Sequence, residues 1–174
     1  YEKNIAKYVM MPGNAKRRHP VVEERTKNLI AYSETSPLNR AEIFSDEIGI
    51  ITSSTSYQYV KEVFGESVSI LKLGIVNPLP PELIKNFASK VNKLFVVEEL
   101  DDVIESFVKK IGLEVQGKNL LPVVDEFSQN LIAKAFGKNI PEGFELEDEI
   151  PNRPPVMCAG CPHRGLFYTL KKNK

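Results

Sequence analysis

Between residues 46 and 137 the chain alternates short β-branched apolar runs with amphipathic stretches, and this alternation constrains the fold more than any other feature. Ile48-Gly49-Ile50-Ile51-Thr52-Ser53 suits a buried parallel strand, as do Val68-Ser69-Ile70-Leu71-Lys72-Leu73 and Leu94-Phe95-Val96-Val97. Between them lie helical patterns. Tyr59, Val60, Val63 and Phe64 share one face and end at Gly65. Leu83, Ile84, Phe87, Ala88 and Val91 follow Pro81, a proline well placed as a first helical residue. Val103, Ile104, Phe107, Val108 and Ile111 form a third face, with Asp101 as a candidate cap and Gly112 beyond the end. Leu113-Glu114-Val115 offers a short further strand. A last amphipathic helix is expected over 123–136, with Phe127, Leu131 and Ile132 inward and Gly137 as its stop. Alternation with short connections predicts a three-layer α/β/α domain around a mostly parallel sheet.

The flanks differ. From Tyr1 to Ile30 seven Lys or Arg face three Glu, so residues 1–40 read as a basic, polar lead-in, with a helix expected over 21–33 and a turn at Ser36-Pro37-Leu38-Asn39. The run Ala15 to Pro20 reads as a solvated loop or a paired surface more readily than as a phosphate site. Residues 138–157 are Pro-rich and carry the acidic run Glu145-Leu146-Glu147-Asp148-Glu149, which predicts an extended linker. The chain begins at Tyr1 rather than Met and stops at Lys174 a few residues into a helical pattern, as expected of a piece of a longer polypeptide.

Charge narrows the function. The 23 Lys and Arg balance 23 Asp and Glu, which argues against a nonspecific nucleic-acid binder. No apolar run is long enough for a membrane span. Two cysteines among 174 residues rule out a disulfide framework and fit a reducing, cytoplasmic setting.

Three groups of residues could carry chemistry. No glycine-rich phosphate loop occurs, so Ser53-Ser54-Thr55-Ser56, at the end of the first strand, is the best anion candidate; plain helix capping is the alternative. Glu98-Glu99 ends the third strand. Paired carboxylates can do acid–base work, but strand neighbours point to opposite faces, so a structural or interdomain role is the better reading. Cys158-x-x-Cys161, with His163 nearby, has the spacing of one corner of a zinc or iron–sulfur site. No second pair completes it, and a packed turn relieved by Gly160 remains the plain alternative.

The segment Arg153-Pro154-Pro155-Val156-Met157-Cys158-Ala159-Gly160-Cys161-Pro162-His163-Arg164-Gly165 resembles the Cys-x-Gly-Cys-Pro-His-Arg-Gly motif of indolepyruvate:ferredoxin oxidoreductase alpha (large) subunits. Tyr8-Val9-Met10-Met11-Pro12, with Lys16-Arg17-Arg18-His19, is similar to the exit from that family's pyrimidine-binding domain. Leu73-Gly74 through Pro78-Leu79-Pro80, and Phe95-Val96-Val97-Glu98-Glu99-Leu100, resemble its middle domain, which is similar to the transketolase C-terminal domain.

The resemblance implies a parent enzyme that oxidatively decarboxylates aryl-pyruvates to aryl-acetyl-CoA and reduces ferredoxin. It implies thiamine diphosphate, Mg²⁺ and [4Fe-4S] clusters, a smaller beta subunit, coenzyme A and ferredoxin as partners, and a dimer of heterodimers. Residues 41–137 would be the transketolase C-terminal-like domain. Residues 158–174 would open the thiamine-diphosphate-binding domain, placing Gly160, Cys161 and His163 near the cofactor and Cys158 and Cys161 as iron–sulfur ligands. The 174 residues alone would then hold no cofactor and be catalytically silent. Two rivals stand: a domain of another 2-oxoacid:ferredoxin oxidoreductase, and a free-standing α/β binding module whose Cys-x-x-Cys is a metal or redox site.

Overall fold

The computed structural model describes residues 1–140, 143, 151 and 154–173. The described chain divides into two compact units, Tyr1–Ile140 and Pro141–Lys174. The acidic run 145–149 and Arg153 lie outside the described residues.

In the first unit the elements run α1 (Ile5–Tyr8), α2 (Pro12–Thr35), β1 (Arg40–Glu42), β2 (Ile48–Ser53), α3 (Ser56–Phe64), β3 (Ser69–Leu73), α4 (Pro81–Ala88), β4 (Lys93–Val97), α5 (Val103–Lys110) and α6 (Gln129–Ala135). The four-stranded sheet has the order β1-β3-β2-β4. Strand β2 pairs parallel with both neighbours, aligning Ile50 with Ile70 and Phe95, and Ile51 with Leu71 and Val96. Only β1 is antiparallel.

The two-residue period of the strands builds two cores from one sheet. Ile50, Ile70, Phe95 and Val97 face Tyr57, Val60 and Phe64 of α3, with Leu121, Phe127 and Ile132 behind them. Phe136 closes this side, edge-on to Phe64 at 5.1 Å and to Phe95 at 5.0 Å between ring centroids. Ile51, Leu71, Leu73 and Val96 face the other way, onto Ile84 and Phe87 of α4 and Ile104 and Val108 of α5. Helices thus cover both faces, which is the three-layer α/β/α arrangement expected from the alternation.

Several elements differ from their sequence expectations. The helix expected over 21–33 begins at Pro12 and runs 24 residues, straight through Pro20. A proline at the first position costs no hydrogen bond there, and Ala15 to Arg18 are good helix formers, so the basic run is helical rather than a loop. The end of α2 is tied into the α/β unit. The Glu34 carboxylate accepts from the Glu82 and Leu83 amides of α4, at 2.9 and 2.7 Å. The Asn39 side chain donates to the Ser33 carbonyl and accepts from the Gly74 and Ile75 amides.

Strand β1 was not expected, being three residues long, with Arg40 and Ala41 exposed and Glu42 half-buried. The segment 113–115 is no strand; next to it Gln116 makes a single parallel bridge to Phe95 along the outer edge of β4. Finally, the last helix starts at Gln129 rather than near 123. The Ser128 hydroxyl accepts from the Leu131 amide and caps it there, and the preceding loop buries Leu121 and Phe127 beneath the sheet.

The second unit contains one described helix, α7 (His163–Lys172), in which no residue is buried. Among the described residues no helix is long and apolar enough to cross a membrane.

Candidate functional site

Strand order decides where a ligand could enter the first unit. The chain leaves β2 toward α3 on one face of the sheet and leaves β4 toward α5 on the other. Because β2 and β4 are neighbours, the segments that leave their C-terminal ends diverge and leave a crevice, the usual ligand position in open α/β sheets. The crevice has a volume of about 360 Å³ and is lined by Ser53, Ser54 and Ser56 on one side and Glu98, Glu99, Leu100 and Asp101 on the other, with Val76, Val103 and Ile104 around them. The fold therefore brings together the serine run and the paired glutamates that the sequence singled out separately.

The serines do not cap. Helix α3 starts after Thr55, and no side chain bonds its first-turn amides. Ser54 takes a left-handed backbone (φ 50°), as does Leu100 (φ 59°) on the facing wall. Side chains rarely adopt this conformation, so both turns are held by their surroundings.

The glutamates divide their work, and both roles are structural. Glu98 is buried, and its two oxygens accept from the Ile104 and Glu105 amides at 2.8 and 2.9 Å. It therefore caps α5 in place of Asp101; Asp102, at the cap position itself, makes no such bond. Burial raises the Glu98 carboxyl above its ordinary range, opposed by the Glu105 and Ile104 amides and the Lys118 charge. Glu99 accepts from the Phe127 amide at 2.9 Å, fixing the loop ahead of α6. A second hollow, of about 580 Å³, lies beside it between Glu99, Leu100, Asp125 and Glu126.

In the second unit Cys158, Gly160, Cys161 and His163 form one local structure. The Cys161 amide donates to the Cys158 carbonyl at 3.1 Å, closing a turn in which Gly160 has φ 77°, a value open to glycine. The Cys161 Sγ lies 3.5 Å from His163 Nδ1. Cys158 is exposed and Cys161 half-buried, and both are free thiols. Helix α7 begins immediately after, with Leu166, Phe167, Tyr168 and Leu170 exposed. Among the described residues no group of three or more His, Cys, Asp and Glu side chains could hold a metal ion. Two thiols and an imidazole are thus a partial ligand set. Among the described residues nothing completes a zinc or iron–sulfur site around them.

No protein-family model matches the chain. Its sequence is similar to indolepyruvate oxidoreductase subunit IorA of Pyrococcus horikoshii, at 35% identity over 99% of the chain, and to subunit IorA of Archaeoglobus fulgidus, at 33% identity over 99%. The chain spans about 30% of the length of each of these relatives. The fold is similar to that of a 2-oxoglutarate:ferredoxin oxidoreductase from Magnetococcus marinus, with a TM-score of 0.56 and 16% identity over 74% of this chain and 23% of that one. The likeness first read from the cysteine motif therefore extends along the whole chain.

Proposed function

We propose that this chain is the central segment of the large subunit of an indolepyruvate:ferredoxin oxidoreductase, and that its α/β unit is a scaffold for that enzyme. The observation that carries the reading is the match to subunit IorA over 99% of the chain. The enzyme so read is a cytoplasmic oxidoreductase that converts aryl-pyruvates to aryl-acetyl-CoA and passes the electrons to ferredoxin. It works with a smaller beta subunit in a dimer of heterodimers. Thiamine diphosphate, Mg²⁺ and [4Fe-4S] clusters supply the decarboxylation and electron-transfer chemistry when bound.

This chain's residues support a positioning role. In the α/β unit the two carboxylates most suited to acid–base work bind backbone amides instead, Glu98 at α5 and Glu99 before α6. A unit that fixes its own edges so firmly can hold neighbouring domains in register, where an error of one ångström can cost about a hundredfold in rate. Residues 41–137 are read as the transketolase C-terminal-like scaffold, 138–157 as a linker and 158–174 as the opening of the diphosphate-binding domain. Gly160, Cys161 and His163 then stand near the cofactor, and Cys158 and Cys161 offer thiolates whose remaining partners must come from elsewhere in the enzyme. On this reading the 174 residues alone have no activity.

The test is to capture the native complex anaerobically through this chain and follow ferredoxin reduction with CoA and different 2-oxoacids. Reduction that depends on indolepyruvate is the expected result. Reduction driven only by pyruvate or 2-oxoglutarate would reassign the substrate, and no 2-oxoacid-dependent reduction would overturn the reading.

A further inference from the structure

The crevice between β2 and β4 holds binding groups that scaffolding leaves unused. Among the described residues five serines or threonines are buried: Ser33, Ser36, Thr52, Ser56 and Ser69. Four have hydroxyls engaged by the protein. Ser33 bonds the Ile30 carbonyl, Ser36 the Leu38 amide, Thr52 the Val97 carbonyl and Ser69 the Ser45 carbonyl. Ser56 is the exception. It is 3% exposed, yet its hydroxyl bonds to no described residue. No fully enclosed side-chain polar atom lacks a partner among the described residues, so this hydroxyl opens onto the crevice it lines.

We propose that this crevice binds a nucleoside 5′-monophosphate, with the phosphate against the Ser56 hydroxyl and the start of α3 and the ribose diol against Glu99.

The two walls differ in polarity. On one, the nine-residue helix α3 presents an uncapped N-terminus beside the unpartnered Ser56 and the hydroxyls of Ser53 and Ser54, an arrangement of donors suited to an anion. On the other, Glu99 spends one oxygen on the Phe127 amide, and its second oxygen bonds no described residue. Asp101 stands beside it. Carboxylates accept from the hydroxyls of a diol and repel a bare anion. The site therefore favours a ligand with a negative end and a hydroxylated body over free phosphate. Glu98 takes no part, since α5 holds both its oxygens. Val76, Leu100 and Val103 are exposed by 44, 61 and 61% and offer apolar surface to a flat base. A volume of about 360 Å³ falls at the small end of the range of ligand pockets, which runs from roughly 300 to 1,000 Å³.

The inference stands apart from the oxidoreductase reading, since it uses only the first unit. The test is calorimetric titration of the full 174-residue chain with AMP, adenosine and inorganic phosphate. AMP is expected to bind saturably at one per chain, more tightly than either fragment. Ser56→Ala should weaken AMP by about tenfold, the worth of one hydrogen bond to a charged group, and weaken phosphate too. Glu99→Gln should weaken adenosine and AMP, and should not weaken phosphate, whose repulsion by this wall it relieves. Thermal unfolding checks that each variant folds, and Ser53→Ala carries the same expectation if Ser56→Ala does not. No saturable heat at millimolar AMP would overturn the proposal. So would AMP binding unaffected by the serine and glutamate changes, or phosphate binding as tightly as AMP.

Discussion

Replacing Glu98 probes how the C-terminal edge of the sheet is held. Its side chain is buried, and it alone accepts the Ile104 and Glu105 amides at the start of α5. Glu98→Ala removes both acceptors and leaves a hollow where the side chain lay. Each stranded amide costs about 1–3 kcal/mol, so the expected loss of stability is about 3–5 kcal/mol for the pair with its cavity. Glu98→Gln keeps one acceptor oxygen and turns an amide NH₂ toward the second donor. The expected loss is therefore only about 1 kcal/mol near pH 5. The sign of the pH dependence follows from burial, which raises this carboxyl above its ordinary value of 4.5 in the fold. The native state then holds the proton more tightly than the unfolded state. The contribution to stability is complete below 4.5 and is lost as the pH climbs through the raised value. The deficit of the Gln variant should therefore narrow from pH 5 toward neutrality. Urea unfolding followed by far-ultraviolet circular dichroism at several pH values measures all of this. Equal losses for the two variants, or a Gln deficit that widens with pH, would refute the capping role assigned to Glu98.

Glu42 should behave in the opposite sense. Burial works against its ionisation, but hydrogen bonds from Tyr57 and Lys61 prevail and hold its carboxyl below the ordinary value. Its contribution is present above 4.5 and is lost as the pH falls through the lowered value, so the deficit of Glu42→Gln should be largest near neutrality and vanish on acidification. Gly74→Ala should cost about 1–3 kcal/mol in chemical denaturation, because the added Cβ would meet the Leu38 carbonyl oxygen at 2.5 Å and backbone must move. Glu34→Ala should cost about 0.5–2 kcal/mol, since it uncaps α4 from outside; an unchanged midpoint would mean that α2 is not coupled to the sheet.

The sequence was most legible where burial on two faces imposed a pattern. Ile50-Ile51, Ile70-Leu71 and Phe95-Val96-Val97 are continuous apolar runs because each strand feeds two cores, and that signal needs no partner to be read. Elements set by single side chains were less legible. The start of α6 depends on the Ser128 hydroxyl, while the helical pattern of its apolar residues reaches back to Val123. Helix α2 runs through Pro20, its ninth residue, although an interior proline forfeits a backbone hydrogen bond, so a start beyond Pro20 was the natural expectation and the structure overrides it. Strand β1 was hidden by its brevity and its polar exposure.

The same division holds at the candidate site. Ser53 to Ser56 and Glu98-Glu99 were visible as residues at strand ends, but their meeting in one crevice depends on the order β3-β2-β4, which the sequence does not state. That Glu98 caps α5 while Ser56 is left without a partner is a matter of distances, and no spacing rule distinguishes the two. The sequence marked His163 only as lying near the cysteine pair; its 3.5 Å approach to the Cys161 sulfur is a detail of the turn at the start of α7.

The central claim is that this chain is one segment of an oxidoreductase subunit, and its most direct test is the mass and iron content of the natural polypeptide. The protein should be isolated without oxygen through an antibody to this chain, then measured intact together with whatever accompanies it. A polypeptide several-fold heavier than 19.6 kDa, carrying iron and paired with a smaller subunit, is the expected result. A natural polypeptide of 19.6 kDa without iron or partner would contradict the claim and leave a free-standing α/β module.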